Sequence, residues 1–206
     1  RWRKPGPHVS TWEYAVERAP IMAAIPPEWR CVEFGPGDHP WPRANVLVDI
    51  CPVKAVPGRN QTVVIADACE KDRFGTKDFD FAFTSHMTEH LPDPVAFAQE
   101  LSRVAKRGVV VCPRAGKEFL FGFNEPTHLW QFEQRKDRLI CWKIDEEQRA
   151  AMRDDDYARA MHRILRLGPS RFEEDSLACR RWFRRSESWL DVVFSWEGEL
   201  KIEVIP

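Results

Sequence analysis

Five short apolar runs, each closing on an acid, a proline or a small residue, constrain this chain more than any other feature. They are residues 30–34, 45–50 (NVLVDI), 62–67 (TVVIAD), 79–85 (FDFAFTS) and 108–112 (GVVVC). Near-continuous Val, Ile and Phe runs of this length fit strands buried on both faces, as in a parallel sheet under helices. Residues 94–106 (PVAFAQELSRVAK) place Val95, Phe97, Ala98, Leu101, Val104 and Ala105 on one helical face. Pro94 suits the first turn of that helix, and Gly108 suits a C-terminal cap. Strand, helix and strand in this order make a right-handed βαβ unit.

The flanks read differently. Residues 10–22 (STWEYAVERAPIM) predict one helix, with Ser10 or Thr11 as N-cap and Glu13 closing a capping box with Ser10. Residues 115–144 are rich in aromatics and show no clean period. Residues 145–167 predict a helix N-capped by Asp145. Two alternating apolar runs around Glu197, Gly198 and Glu199 predict a β-hairpin over 186–206. The expected fold class is α/β: a Rossmann-like parallel sheet flanked by helices, with a C-terminal antiparallel hairpin and an inserted aromatic and helical cap. The expected organisation is one domain over residues 1–206. Its parts are an N-terminal helix and arm (1–29), a core (30–114), a cap (115–185) and a closing hairpin (186–206).

Composition narrows the function. Thirty-one basic and 32 acidic side chains leave 206 residues with a net charge of −1. A dedicated nucleic-acid binder is normally clearly basic, so nucleic acid is the weaker partner. No long uncharged apolar window is present, so no membrane span is expected. The opening RWRKPGPH has no apolar stretch behind it and does not read as a secretory signal. None of the six cysteines forms a CxxC pair, and several lie in apolar runs. They read as reduced thiols of a cytoplasmic protein.

In an open parallel sheet, ligands bind beyond the carboxyl ends of the strands, near the switch in strand order. The residues there are therefore the candidates. The first run ends Glu33-Phe34-Gly35-Pro36-Gly37, where glycines allow positive φ and close approach of a ligand. The second ends at Asp49-Ile50, a place where a carboxylate can accept hydrogen bonds from a ribose diol. The third ends at Asp67-Ala68, which could hold the edge of a base. Each acid by itself also suits an N-cap or a solvated loop.

With these residues in order, the chain resembles the class I S-adenosylmethionine-dependent methyltransferases, over residues 30–114. VEFGPGDHP resembles the glycine-rich first motif, NVLVDI the second and VVIADACE the third. The stretch FDFAFTSHMTEHLPDPVAFAQELSRVAKRGVVVCPR resembles the family's succession of strand, Ser/His loop, Glu-His, Pro-Asp-Pro, helix and strand. The resemblance implies S-adenosylmethionine as cofactor and S-adenosylhomocysteine as product. It implies Glu33, Gly35, Gly37, Asp49, Ile50, Asp67, Ala68, Ser85 and His86 as cofactor-binding residues, with Ser85 and His86 beside the methionine end. One departure is a gap of 12 residues between Gly37 and Asp49, against about 20 in a standard dinucleotide fingerprint. The first helix is then short or replaced by the loop HPWPRA.

Methyl transfer from a sulfonium is an in-line displacement, so the protein's tasks are alignment and exclusion of water. A hydroxyl acceptor also needs a base, a role that histidine's unperturbed pKa of about 6.5 suits as a residue type, and His90 and His128 are the candidates. Each also suits a packed or capping role. His86-Met87-Thr88-Glu89-His90 matches the inverted zinc-protease pattern HxxEH. Pro92 and Pro94 leave no room for a zinc-binding helix and no partner motif supplies a third ligand, so no metal is expected. The aromatic stretch after 118 suits a substrate lid or an auxiliary hydrophobic layer. The expected acceptor is a small molecule or glycan intermediate, possibly anionic. The run Arg180, Arg181, Trp182, Phe183, Arg184 and Arg185 suits phosphate contact and base stacking. It keeps open an RNA or DNA methyltransferase; a catalytically degenerate cofactor-binding partner protein is a further alternative.

Overall fold

The computed structural model describes residues 11–120, 127–154, 156 and 190–206. The chain divides into two compact units. The first comprises Arg1–Met87, Ala96–Val111 and Val193–Leu200; the second comprises Thr88–Val95, Cys112–Val192 and Lys201–Pro206.

The first unit is built on β1 (Cys31–Phe34), β2 (Val46–Asp49), β3 (Thr62–Ile65), β4 (Phe81–Ser85) and the greater part of β5 (Arg107–Pro113) and β8 (Asp191–Glu197). Their order in the sheet is β3-β2-β1-β4-β5-β8, and β3 through β5 run parallel. One helix crosses between these parallel strands, α3 (Pro94–Val104), and its Phe97 packs edge-on against Phe34 with ring centroids 5.8 Å apart. The opposite face buries Cys31, Leu47, Phe81, Phe83, Val109 and Val111 under Ala15, Ala19 and Met22. No helix lies between β1 and β2. The loop HPWPRA stands there instead, and its Trp41 is 3% exposed, with its ring 5.6 Å from that of Phe83. One indole thus fills the place an amphipathic helix would cover.

Four expectations change. The single N-terminal helix is two, α1 (Thr11–Arg18) and α2 (Pro20–Ala23), with Ala19 extended between them at φ −109°. Pro20 has no N–H to donate and restricts the residue before it, so the helix restarts there. Strand β3 is not buried on both faces: it is the sheet edge, and Val63 and Ile65 are exposed. Gly108 does not cap α3 but lies inside β5, where a Cβ would collide with the Ala82 carbonyl oxygen and crowd the Trp196 ring. The tail of α3 is closed instead by Lys77, whose Nζ donates to the Ser102, Ala105 and Gly198 carbonyls. The C-terminal runs do not form a hairpin with each other. Strand β8 joins the six-stranded sheet next to β5, while β9 (Ile202–Val204) pairs in parallel with β7 of a separate sheet.

The second unit holds that sheet, order β6-β7-β9, with β6 (Trp130–Arg135) antiparallel to β7 (Arg138–Lys143). Phe132, Leu139 and Cys141 are fully buried in it. Lys136 takes φ +55° in the turn between β6 and β7. Helix α4 spans Ala115–Leu120 and α5 spans Glu146–Asp154. Asp145 caps α5 as its sequence predicts, accepting from the Glu147 N–H at 3.0 Å. The aromatic stretch at 121–126, the rest of the helix predicted to 167 and the Arg180–Arg185 run lie outside the described residues. Among the described residues no helix is long and apolar enough to cross a membrane.

Candidate functional site

Because β3, β2, β1 and β4 are parallel neighbours, their carboxyl ends line one edge of the sheet in the order Asp67, Asp49, Gly35, Ser85. The strand order turns back beside β1, which makes that edge a topological switch point. Gly35 has φ +69° and its N–H donates to the Val48 carbonyl at 2.8 Å. A Cβ on Gly35 would lie 2.7 Å from the Met87 side chain. Gly37 also takes a positive φ, +53°, but a Cβ there would meet only open space. Its N–H points to Asp49 Oδ2 at 3.4 Å, and Asp49 Oδ1 accepts from the Cys51 N–H at 2.9 Å. Ile50 follows with its side chain 70% exposed. Asp67 is exposed and accepts from the Cys69 N–H at 2.8 Å, while Ala68 is buried. Ser85 is buried, and its Oγ makes no hydrogen bond among the described residues. His86 follows at φ +52°, and its N–H donates to the Val111 carbonyl at 2.9 Å.

Glu33 is the exception. It is 2% exposed, and its Oε2 accepts from the Trp41 N–H at 2.6 Å. Burial pushes its carboxyl up to about 8; the Trp41 N–H pulls it down and the Asp49 charge adds to the rise. Its visible task is to tie the loop after Gly37 to β1. Trp41 itself went unmarked by sequence reasoning, although the short Gly37–Asp49 gap pointed to the loop that carries it.

His90 and His128 come together in the second unit. Thr88–His90 is a single 3-10 turn, and its Glu89 carbonyl accepts from the Leu129 N–H at 2.7 Å. Trp130 Nε1 donates to the Leu91 carbonyl at 2.8 Å, and Arg149 donates to the His128 carbonyl at 2.6 Å. The Leu129 and Trp130 bonds hold the two segments side by side, and Arg149 ties His128 to α5. The imidazole rings stand 4.6 Å apart, edge to face. His128 Nε2 lies 3.9 Å from Oε1 of Glu89, a residue with no exposed surface. Burial first, then the Glu89 charge, push the neighbouring Cys112 thiol well up. The sequence names both histidines but carries no signal that they meet, since 37 residues separate His90 even from Thr127, whose carbonyl it contacts.

A parallel sheet with a glycine turn at its switch point and a carboxylate at the next strand end is the frame of a class I methyltransferase. The comparisons agree: a family model for a methyltransferase domain matches residues 11–163, and the chain belongs to that family of S-adenosylmethionine-dependent enzymes. No curated protein matches it. Among solved structures it is similar to a chain of the Haloferax volcanii complex between the Trm112 methyltransferase activator and a methyltransferase. That likeness has a TM-score of 0.53 at 10% identity over 93% of this chain and 89% of the other. It is also similar to an S-adenosylmethionine dependent methyltransferase from Mesorhizobium loti, with TM-score 0.47 at 13% identity over 87% of this chain and 96% of that one. At 10% identity the Haloferax volcanii likeness speaks for the fold alone. The residues present fit the family's cofactor: a turn of positive-φ glycines with open space at Gly37, an accessible carboxylate one strand over, and a buried hydroxyl without a partner among the described residues.

Proposed function

We propose that the first unit binds S-adenosylmethionine along this edge and that the enzyme passes its methyl group to a small-molecule or glycan-type acceptor. The observation that carries the reading is the pairing of the Gly37 N–H with Asp49 at the switch point. Gly35 and Gly37 supply backbone that a ligand can approach closely, and Asp49 is the acceptor for a ribose diol. Ile50 offers an exposed apolar face to an adenine ring, with Asp67 and Ala68 at its edge. Ser85 and His86 are assigned to the methionine end. Glu33 works indirectly, by fixing the turn. When bound, the cofactor supplies an electrophilic methyl group; the chain's own work is to align the acceptor and keep water away. A hydroxyl acceptor must also lose a proton, and the His90–His128 pair is proposed to take it. The near-zero net charge favours a small acceptor over nucleic acid. The free, buried thiols of Cys31, Cys112 and Cys141 suit a reducing, cytoplasmic setting.

Calorimetry with S-adenosylmethionine and S-adenosylhomocysteine tests this. Both bind the folded protein, and Asp49→Ala weakens them by roughly ten- to a hundredfold, the loss of one or two hydrogen bonds to a charged group at about 1.5–3 kcal/mol in all. No heat of binding from folded protein would sink the reading. Unchanged affinity in Asp49→Ala would sink the ribose assignment.

A further inference from the structure

We propose that Glu89, His90 and His128 of the second unit form a binding site for one divalent first-row transition ion of the Zn2+ type. One candidate ligand atom from each of the three lies within 4.8 Å of the others. Ligands about 2.0–2.2 Å from a tetrahedral Zn2+ stand roughly 3.3–3.6 Å apart, so small side-chain rotations close the set. The separation of 3.9 Å between His128 Nε2 and Glu89 Oε1 is too long for a hydrogen bond and near that ligand spacing.

Three further observations support an ion. His90 Nδ1 lies 3.1 Å from the Thr127 carbonyl oxygen, which can only accept, so in the neutral ring Nδ1 carries the proton and Nε2 keeps its lone pair. A backbone carbonyl on the far nitrogen is the usual way a ligating histidine is oriented. Glu89 brings a carboxyl group with no exposed surface to two imidazoles; its ionised form there would be stabilised by a cation. Leu129 and Trp130 bond the two segments that carry the three, and Arg149 holds the His128 carbonyl, so the donors are held in place before an ion arrives.

The donor set also selects the ion. Two imidazoles and one carboxylate suit Zn2+, Co2+ or Ni2+, whereas Ca2+ and Mg2+ take oxygen ligands. This is not the HxxEH pair: Thr88–His90 is one 3-10 turn, and the second histidine is His128 rather than His86. Three protein ligands leave a fourth position for water, whose pKa the ion would lower. Ligation occupies the lone pairs a free imidazole base would use, so the ion and the base assignment compete for the same nitrogens. The site does not depend on cofactor binding.

The test uses the tag-free full chain, stripped with chelator and titrated with Co2+. The expected result is uptake of one ion with the visible bands of a four- or five-coordinate site, displaced by Zn2+, and a melting temperature raised by Zn2+. His128→Ala and Glu89→Gln each weaken uptake at least tenfold and abolish the Zn2+-induced shift, whereas His39→Ala, at an exposed position of the first unit, changes neither. Far-UV circular dichroism selects variants that fold, and His90→Gln replaces any that does not. Absence of stoichiometric uptake by the folded wild type overturns the proposal, and so does uptake retained in His128→Ala and Glu89→Gln.

Discussion

Glu33 and Glu89 are both shut away from water, one in each unit, and their surroundings differ in kind. Glu33 faces a backbone N–H and a second carboxylate, Asp49, whose charge adds to the effect of burial. Glu89 faces two imidazoles. A buried carboxyl with one hydrogen-bond donor and no cation lowers its cost by staying protonated. A buried carboxyl beside imidazoles can instead share a cation with them. The same residue type thus serves as a neutral fastener in one unit and as a ligand in our proposal for the other.

Replacing Glu33 with glutamine breaks the comparison at its strongest point. The folded protein holds the Glu33 proton up to about 8, against 4.5 for the free side chain. Between those values the folded state binds more proton than the unfolded state. The contribution of neutral Glu33 is therefore complete below about pH 4.5 and declines as pH rises to about 8, at up to roughly 1.4 kcal/mol per pH unit. Glu33→Gln keeps an acceptor for the Trp41 N–H and carries no charge. Denaturant unfolding from pH 5 to 8 is expected to show wild type losing a few kcal/mol relative to the variant. Parallel profiles would mean that Glu33 is ionised in the folded protein.

The two glycines of the turn after Glu33 sharpen the picture of what holds that region. Gly35 and Gly37 both take positive φ, but only Gly35 has Met87 in the way of a Cβ. Gly37→Ala pays the backbone term, about 1 kcal/mol. Gly35→Ala adds the displacement of Met87, for a total of about 3 kcal/mol. Chemical denaturation of the two variants measures both. Equal losses would show that the Met87 contact yields without cost.

What was readable in advance follows from how local each feature is. The parallel strands, α3 and the residues at the strand ends all lie within short stretches whose pattern sets them. So does the Asp145 cap. Partner choice is not local. Gly198 sits at φ +77°, as a hairpin turn requires, yet Leu200 donates to Ser102 Oγ and Ile202 pairs with Leu139. Composition marks β3 as a strand but does not say that it lies at the edge with Ile65 uncovered. The β6–β7 hairpin escaped because Trp130–Arg135 reads as an aromatic stretch without a period until Phe132 finds Cys141 across the ladder. The meeting of His128 with Glu89 and His90 has the same origin, since it depends on the Leu129 N–H bonding a residue far back in the chain. Pro20 is the local case: its break of the N-terminal helix could have been read from the sequence alone.

The bonds that seat the 3-10 turn give the smallest effect and the finest test of the second glutamate's surroundings. Trp130→Phe keeps most of the ring volume and removes the Nε1 donor to the Leu91 carbonyl. The expected loss is about 1 kcal/mol, the net worth of one hydrogen bond plus the cost of the carbonyl it leaves behind. Because Leu91 adjoins His90, the loss comes with a change in the turn itself. The imidazole NMR signals of His90 and His128 should shift while that of His39 stays where it is. A stability loss with no shift in either ring would show that the main-chain bond from Leu129 to Glu89 seats the turn by itself. Shifts in both rings would show that the rings depend on the indole as well, and that the geometry around Glu89 is set by β6 as much as by its own turn.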